Sequence, residues 1–504
     1  MKKQTLFEIM AIILIAIFCI SITPKNLEND TFYTIKIGEH ILECGKIDMI
    51  DPFSWHEDLE YSYPHWLYDI TIYWIYNLGG MTGIYISTCI FSIILGITLY
   101  KVGSKLVKNK VVTFVITIGA IYMLRSYITA RAQLVTFILF ALQIFFMEKL
   151  INTSKKRYGI GLIIISILIA NVHVAVWPFM FVLYLPYIAE YIFAILQEKR
   201  NGKEEKQGYK IIIQKKAGIK YLILVMLICI LTGTLTPLGL STPYTYLIKT
   251  LQGTTTQNIE EHLPMVLINN IDVISVIVIF LIILIFTDAK IKLSDLFMLC
   301  GLTFLMFYSK RQLTMFVIMG TIILNRTLYN WMEKCEKDID NKLINIFTTK
   351  LGTVILISMV LIMCLYLIEP HINTTYIDEN KYPVEMSNYI LQYFEDNNIN
   401  LNDVRLYNEY DYGSYLLFRD IPVFIDSRCD LYTPEYNGGR DIFMDFVDSL
   451  YLNIWFEETL KKYDITHMIL YVNSKINEII ENTELDGYKL LKKDDNFVFY
   501  EVNL

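Results

Sequence analysis

The sequence predicts an α-helical polytopic membrane protein of about eleven transmembrane helices with a C-terminal extracytoplasmic α/β domain. Three observations carry this reading. The 504-residue chain is 54% apolar with a mean hydropathy of +0.41, above the roughly 45–50% apolar content of soluble domains. Its apolar residues form long uncharged runs from Leu6 into the 360s, whereas the stretch from about Glu369 to Leu504 is charged and mixed. Lysine and arginine gather in alternate short loops.

The first run, Leu6 to Ile22, follows Met1-Lys2-Lys3, as a secretory signal would. No small-x-small cleavage site comes after it, and Ser21-Ile22-Thr23-Pro24 is a poor substitute, so the run reads as an uncleaved first span. A span needs roughly 17 to 25 apolar residues. Candidates lie near 6–22, 80–100, 111–125, 132–148, 158–172, 174–195, 219–236, 270–287, 294–308, 312–328 and 351–368. A transmembrane domain therefore covers 1–368, with a first outer loop at about 23–67, and the α/β domain covers 369–504.

Basic residues in short loops stay on the cytoplasmic side. Lys101, Lys105, Lys108 and Lys110 fill one loop, Lys149, Lys155, Lys156 and Arg157 another. A third holds Lys199, Arg200, Lys203, Lys206, Lys210, Lys215 and Lys216, and Lys290, Lys292, Lys334, Lys337 and Lys342 continue the series. A cytoplasmic N-terminus satisfies every loop, and an odd number of spans then places the C-terminal domain outside. The net charge of −7 is a sum over segregated faces, and no nucleic-acid partner is expected. Twelve prolines against 36 tyrosines, with abundant Ile, Lys and Asn, fit an AT-rich bacterial genome, and hence a bacterial plasma membrane.

Of eight cysteines, only Cys44 and Cys429 fall on the outer side, where a disulfide between them is open. No CxxC or Cys/His cluster points to a structural metal.

The outer loops collect polar residues. The first holds Asp30, Asp51, His65 and Trp66; the next has Arg125, Arg131 and Gln133 in LRSYITARAQ. Asn171 and His173 follow in ANVHVAVWP, Glu260, Glu261 and His262 in NIEEHLP, and Lys310 and Arg311 in FYSKRQL. A single arginine at a span end is commonly a headgroup anchor. Acids, bases and amides recurring at so many helix ends predict a polar cavity instead, because ionisable groups there are expensive to desolvate. Arginine forks bind phosphate bidentately, so Arg125, Arg131 and Arg311 are candidate ligands of a lipid phosphate. A first-loop carboxylate is a candidate base for an incoming hydroxyl.

The opening loop resembles that of the GT-C superfamily of polytopic membrane glycosyltransferases, and more closely a bacterial, largely uncharacterised branch. The elements that carry the resemblance are Asp30-Thr31-Phe32-Tyr33, the glycine pair Gly38 and Gly45, Asp51-Pro52-Phe53-Ser54 and His65-Trp66-Leu67. Further along they are Ala130-Arg131-Ala132-Gln133, with Ala in place of the branch's Pro, then Asn171-Val172-His173 and Arg311. In the tail they are Tyr412-Gly413-Ser414-Tyr415-Leu416 and Val423 to Tyr432. Thr34 stands where many members have His. The resemblance implies that Asp30 is the catalytic base, that the donor is a polyprenyl-phosphate sugar, and that transfer inverts the anomeric centre. The acceptor would be an envelope glycan, lipid or protein.

Each residue also has a plainer reading. Asp30 is a candidate N-cap for a helix over Thr31 to Ile41. Asp51 before Pro52 suits a turn, beside a role as second carboxylate or metal ligand. Asp30, Glu260 and Glu261 leave room for a divalent cation, since hard cations take carboxylate oxygens; no other cofactor is indicated. His65 and His173 suit structural or substrate hydrogen bonds better than proton transfer. Trp66 fits an interfacial belt or a sugar platform, and Asp426, Arg428 and Asp430 fit an ion-paired turn.

In the tail, Val384 to Asn397 and Leu452 to Lys462 read as helices. Val404 to Tyr407, Val423 to Asp426 and His467 to Val472 read as strands, and Tyr488 to Leu491 with Phe497 to Val502 as a hairpin. The absence of G-x-G-x-x-G, P-loop and G-x-S-x-G motifs leaves acceptor recognition as the domain's expected task. The expected function is an inverting glycosyltransferase at the outer leaflet, among membrane lipids. A transporter or flippase for a lipid-linked or polar precursor, and a non-catalytic envelope scaffold, are the rival readings.

Overall fold

The computed structural model describes residues 2–201, 210–483 and 485–504; Lys203 and Lys206 of the third basic loop lie outside the described residues. Helix α1 (Lys2–Ile22) leads to α2 (Asn29–Cys44) and to the 42-residue α3 (Trp66–Val107). Helix α3 breaks at Gly80, where φ of +58° suits a residue without a Cβ. Then come α4 (Val111–Leu124), α5 (Ala132–Thr153), α6 (Lys156–Val172), the short α7 (Phe179–Val182), α8 (Leu185–Asn201) and α9 (Ile219–Leu231). Helices α10 (Thr242–Gln252), α11 (Thr255–Asn258), α12 (Ile271–Phe286), α13 (Leu293–Tyr308), α14 (Leu313–Cys335), α15 (Ile339–Phe347) and α16 (Lys350–Ile372) follow. Two-residue strands β1 (Ile211–Ile212) and β2 (Ile291–Lys292) pair in parallel.

Among the described residues, five helical stretches are long and apolar enough to cross a membrane: Lys2–Ile22, Trp66–Val107, Ala132–Thr153, Val174–Arg200 and Lys350–Ile372. Val111–Tyr127, Ile219–Thr234, Ile271–Phe286 and Leu293–Tyr308 are shorter apolar helices.

The chain divides into two compact units. One comprises Met1–Pro24, Tyr85–Tyr244 and Glu260–Asn373; the other comprises Lys25–Ile84, Thr245–Ile259 and Thr374–Leu504. The first outer loop, drawn from sequence as part of the 1–368 domain, thus packs with the C-terminal segment.

The first unit is a helical bundle. Phe7 of α1 meets Phe114 of α4 edge to face at 6.2 Å, and Gly96 of α3 lets Ile15 and Cys19 of α1 approach where a Cβ would lie 2.7 and 2.9 Å from them. Several polar groups inside it are paired across helices. Asn109 donates to Asn325 (2.9 Å), and Asn325 donates to the Thr113 hydroxyl (2.7 Å), as interhelical polar contacts in an apolar medium require. Arg326 of α14 grips both carboxylate oxygens of Asp295 (2.8 and 2.7 Å) and reaches Glu148 of α5 (3.0 Å). Lys292 stands 3.6 Å from the other Glu148 oxygen.

The second unit adds α17 (Val384–Asp396), α18 (Tyr410–Phe418), α19 (Pro434–Asn437), α20 (Ile442–Leu450), α21 (Phe456–Lys462) and α22 (Lys475–Thr483). Its sheet runs β3 (Leu406–Tyr407), β4 (His467–Tyr471), β6 (Phe497–Val502), β5 (Tyr488–Lys493), in that order. Strands β3 and β4 are parallel, and the other pairs are antiparallel. Phe394 of α17 packs on Phe499 of β6 with ring centroids 6.1 Å apart. Val423 to Asp426, expected as a strand, is not one. Val423 makes only an isolated bridge to Ser54, and the Asn408 side chain takes the next backbone groups, accepting from Phe424 N (2.8 Å) and donating to Ile425 O (2.7 Å). A side chain that satisfies the backbone removes the need for a ladder. Neither Cys44 nor Cys429 is in a disulfide, so the one left open by the sequence is not formed.

Candidate functional site

The residues singled out from sequence fall into both units, and each group has its own geometry. In the second unit, Glu28 rather than Asp30 occupies the N-cap of α2; its φ of −87° and ψ of 160° are extended. Asp30 lies in the first helical turn and is half-buried, where the helix dipole favours a carboxylate. The capping reading of Asp30 is therefore corrected. Together with burial, Glu28 and Asp30 push the nearby Tyr382 hydroxyl well above its ordinary pKa.

Helix α2 is held from several directions. Leu27 N donates to Tyr376 O (2.8 Å), Asn29 Nδ2 donates to Tyr410 O (2.9 Å), and Lys36 pairs with Asp420 at 2.6 Å. Phe32 sits among Tyr382, Tyr415 and Phe418, with centroids 4.9, 5.1 and 5.6 Å away. Gly38 lies against α3, where a Cβ would come within 2.2 Å of the Asp69 carbonyl oxygen. Gly45 ends the helix in the left-handed region, donating to Ile41 O (2.9 Å). The two glycines that carried part of the resemblance thus have separate backbone reasons.

Asp51 is bound into an ion-paired knot. Arg428 donates through Nη1 to Asp51 Oδ1 (2.6 Å), and through Nε and Nη2 to the two oxygens of Asp426 (2.9 and 2.7 Å). Tyr432 donates to Asp426 (2.6 Å), while the Ser54 hydroxyl and amide donate to Asp51 (2.6 and 2.9 Å). The guanidinium lies between the Phe53 and Tyr61 rings, 5.3 and 5.1 Å from their centroids. Burial acts to raise the Asp51 carboxyl, but the Arg428 charge and the Ser54 bonds outweigh it and hold it below the ordinary value. This accounts for Asp51 as a turn and ion-pair residue. Asp430 instead accepts from Tyr246 of α10 (2.8 Å).

The neighbouring segments share this construction. Gly413 of α18 approaches the Ile425 carbonyl so closely that a Cβ would lie 2.0 Å from it, and Ser414 and Ser427 hydroxyls are 2.8 Å apart. Trp55 Nε1 donates to Leu406 O (2.9 Å), and His56 Nε2 lies 2.9 Å from Phe424 O. The sequence reading missed His56; its position just after the Asp51 turn was the available signal. Burial lowers its pKa to about 4. Glu409, also missed, caps α18 and accepts from Tyr471 N (3.2 Å); burial pushes its carboxyl up to about 7.

In the first unit the loop ends converge. Arg131 Nη1 lies 2.8 Å from Glu261 Oε1. Arg311 N donates to Glu261 O (3.0 Å), and its side chain donates through Nε and Nη2 to the Gln133 amide oxygen (2.7 and 2.5 Å) in the orientation that satisfies both ends of that amide. Lys310 pairs with the mostly exposed Glu260 at 2.6 Å. Burial raises the Glu261 carboxyl, but Arg131 and Arg311 outweigh it and bring it below the ordinary value. Burial, then the Arg311 charge, lowers His262 to about 4. Arg131, Gln133, Glu261 and Arg311 are thus one group, with Lys310 and Glu260 at its edge.

Other predicted residues have different partners. Arg125 donates to Tyr122 O (2.9 Å), stacks on the Tyr122 ring at 4.1 Å and faces Asp272 at 3.5 Å. Asn171 Nδ2 donates to Ile167 O (2.8 Å) and Leu235 O (2.9 Å), tying the end of α6 to the segment after α9. His173 is buried at the C-cap of α6. His65 starts α3 by accepting from Tyr68 N (2.7 Å) and Asp69 N (3.0 Å), and Trp66, half-buried, is the first helical residue. Among the described residues, no three His, Cys, Asp or Glu side chains are arranged to hold a metal ion.

No family model matches the chain, and no curated protein matches it significantly.

Proposed function

We propose that the chain is an integral membrane glycosyltransferase that moves a sugar from a polyprenyl-phosphate donor to an envelope glycan, lipid or protein acceptor at the outer leaflet of a bacterial plasma membrane. The observation that carries this is the group around Glu261. Arg131 and Arg311 both act on the half-buried Glu261 carboxylate, which leaves a cation in excess where a phosphate's charge would be offset. Preorganised charge of this kind counts most where water is excluded.

In this reading Asp30 accepts the proton of the acceptor hydroxyl. The acceptor oxygen bonds to the anomeric carbon as the carbon–oxygen bond to phosphate breaks, and the polyprenyl phosphate leaves with the electron pair. Inversion follows from a single displacement. Anchorage of α2 on both sides supports the role of Asp30, since a base must be held in place. The Asn171 amide is occupied by structural bonds to Ile167 O and Leu235 O, which moves it behind Glu261, Gln133, His65 and His173 as a substrate contact. The eleven-span topology, with the N-terminus cytoplasmic and the C-terminal domain outside, belongs to the same proposal.

The test is genetic and chemical. The gene is deleted and restored as wild type, Asp30→Asn or Arg131→Gln at matched membrane levels, and envelope glycans and polyprenyl-linked sugars are compared by mass spectrometry. Loss of one defined sugar in the deletion, restored by wild type alone, supports the proposal. Full restoration by Asp30→Asn overturns the assignment of the base and favours a carrier or scaffold.

A further inference from the structure

Helix α10 is built the wrong way round for a helix of a soluble domain. Such a helix turns its apolar stripe inward and its polar face to solvent. In α10 the inward face is the polar one. The Tyr246 hydroxyl donates to Asp430 (2.8 Å), Tyr436 donates to Tyr246 O (2.9 Å), and the Thr250 and Tyr436 hydroxyls are 2.8 Å apart. Lys249 lies over the Tyr436 ring at 5.2 Å. The outward face carries Leu247, Ile248 and Leu251, which are 36, 55 and 57% exposed. With Tyr244 they follow the i, i+3, i+4, i+7 spacing of a single stripe.

We infer that this stripe rests on a lipid surface, so that α10 is an interfacial helix seating the C-terminal segment on the membrane. The occupant follows from where the helix starts. Within the first unit, the Tyr244 hydroxyl donates to Ile230 O (2.8 Å) in the last turn of α9. Helix α9 is itself apolar, with Leu224, Leu227 and Leu231 more than half exposed. A tyrosine at the end of an apolar helix, followed by an amphipathic helix, is the pattern of a chain leaving the hydrocarbon and running along its surface.

The test uses the full chain in vesicles of phosphatidylethanolamine and phosphatidylglycerol. Cys44, Cys300, Cys335 and Cys429 are replaced by serine, and Ile248→Cys or Leu251→Cys is labelled with a nitroxide. Collision with oxygen, which concentrates in lipid, is compared with collision with a water-soluble nickel chelate. The expected result is a ratio favouring oxygen at both positions. A ratio favouring nickel puts the stripe in water and overturns the inference. Protection from both reagents means that protein, a second copy or another partner, covers it, and overturns the inference equally. Two labelling positions guard against one substitution failing to fold.

Discussion

Asp51 and Arg428, 377 positions apart, form a 2.6 Å ion pair in which the two side chains are 0 and 1% exposed. Burial of this kind is costly unless each charge is fully bonded. Asp426, Tyr432 and Ser54 supply the remaining bonds. The pair fixes the Asp51 turn against the segment after α18, and so holds the loop that carries α2.

Arg428→Met leaves two buried carboxylates facing each other, and a loss of about 3–5 kcal/mol is expected. Arg428→Lys should recover little, because an ammonium lacks the fork that holds Asp51 and Asp426 together. Thermal unfolding of the purified protein in detergent measures both.

Gly38→Ala and Gly413→Ala each place a methyl against a backbone carbonyl, at 2.2 and 2.0 Å. Backbone cannot swing aside as a flexible side chain can. A destabilisation of about 1–3 kcal/mol is expected for each, read as a lower melting temperature, whereas Gly119→Ala, with open space around it, should be close to neutral.

Glu409 gives the second unit a pH dependence of definite sign. Its carboxyl titrates at about 7 when folded, against an ordinary value of 4.5, so between these values the folded state binds more protons than the unfolded one. Stability therefore falls as pH rises from about 4.5 through about 7, by about 3 kcal/mol in full. Glu409→Gln should remove that slope. Melting curves at pH 5 and pH 8 for the two proteins decide it.

Arg326 bridges Asp295 and Glu148 inside the helical unit. Arg326→Leu alone should cost about 3–5 kcal/mol by stranding Asp295 and leaving Glu148 to Lys292 and Tyr187. Replacing all three by apolar residues of similar volume should recover most of that loss, and the triple variant's melting temperature measures it.

Much of the helical pattern was legible because apolar runs broken by basic loops leave few alternatives. The C-terminal hairpin was legible from alternating residues around Asp494 and Asp495. What sequence could not show was pairing at a distance. Asp51 and Asp426 each read as local turn formers; only the fold reveals that they share one arginine. Val423 to Asp426 has strand composition, yet Asn408, fifteen residues before Val423, takes the hydrogen bonds a neighbouring strand would have made. Arg125 and Arg131 looked alike from spacing, but a ring at Tyr122 and a carboxylate at Asp272 draw the first one off.

The second unit is assembled from residues 25–84, 245–259 and 374–504, and this has a consequence for synthesis. A ribosome adding roughly 5–20 residues per second finishes Asp51 about 20–75 s before it reaches Arg428. Throughout that interval the Asp51 turn and the aromatic face of Phe32 wait for a partner still being made. A ribosome stalled within the 374–504 segment would leave the first loop without the residues it packs on.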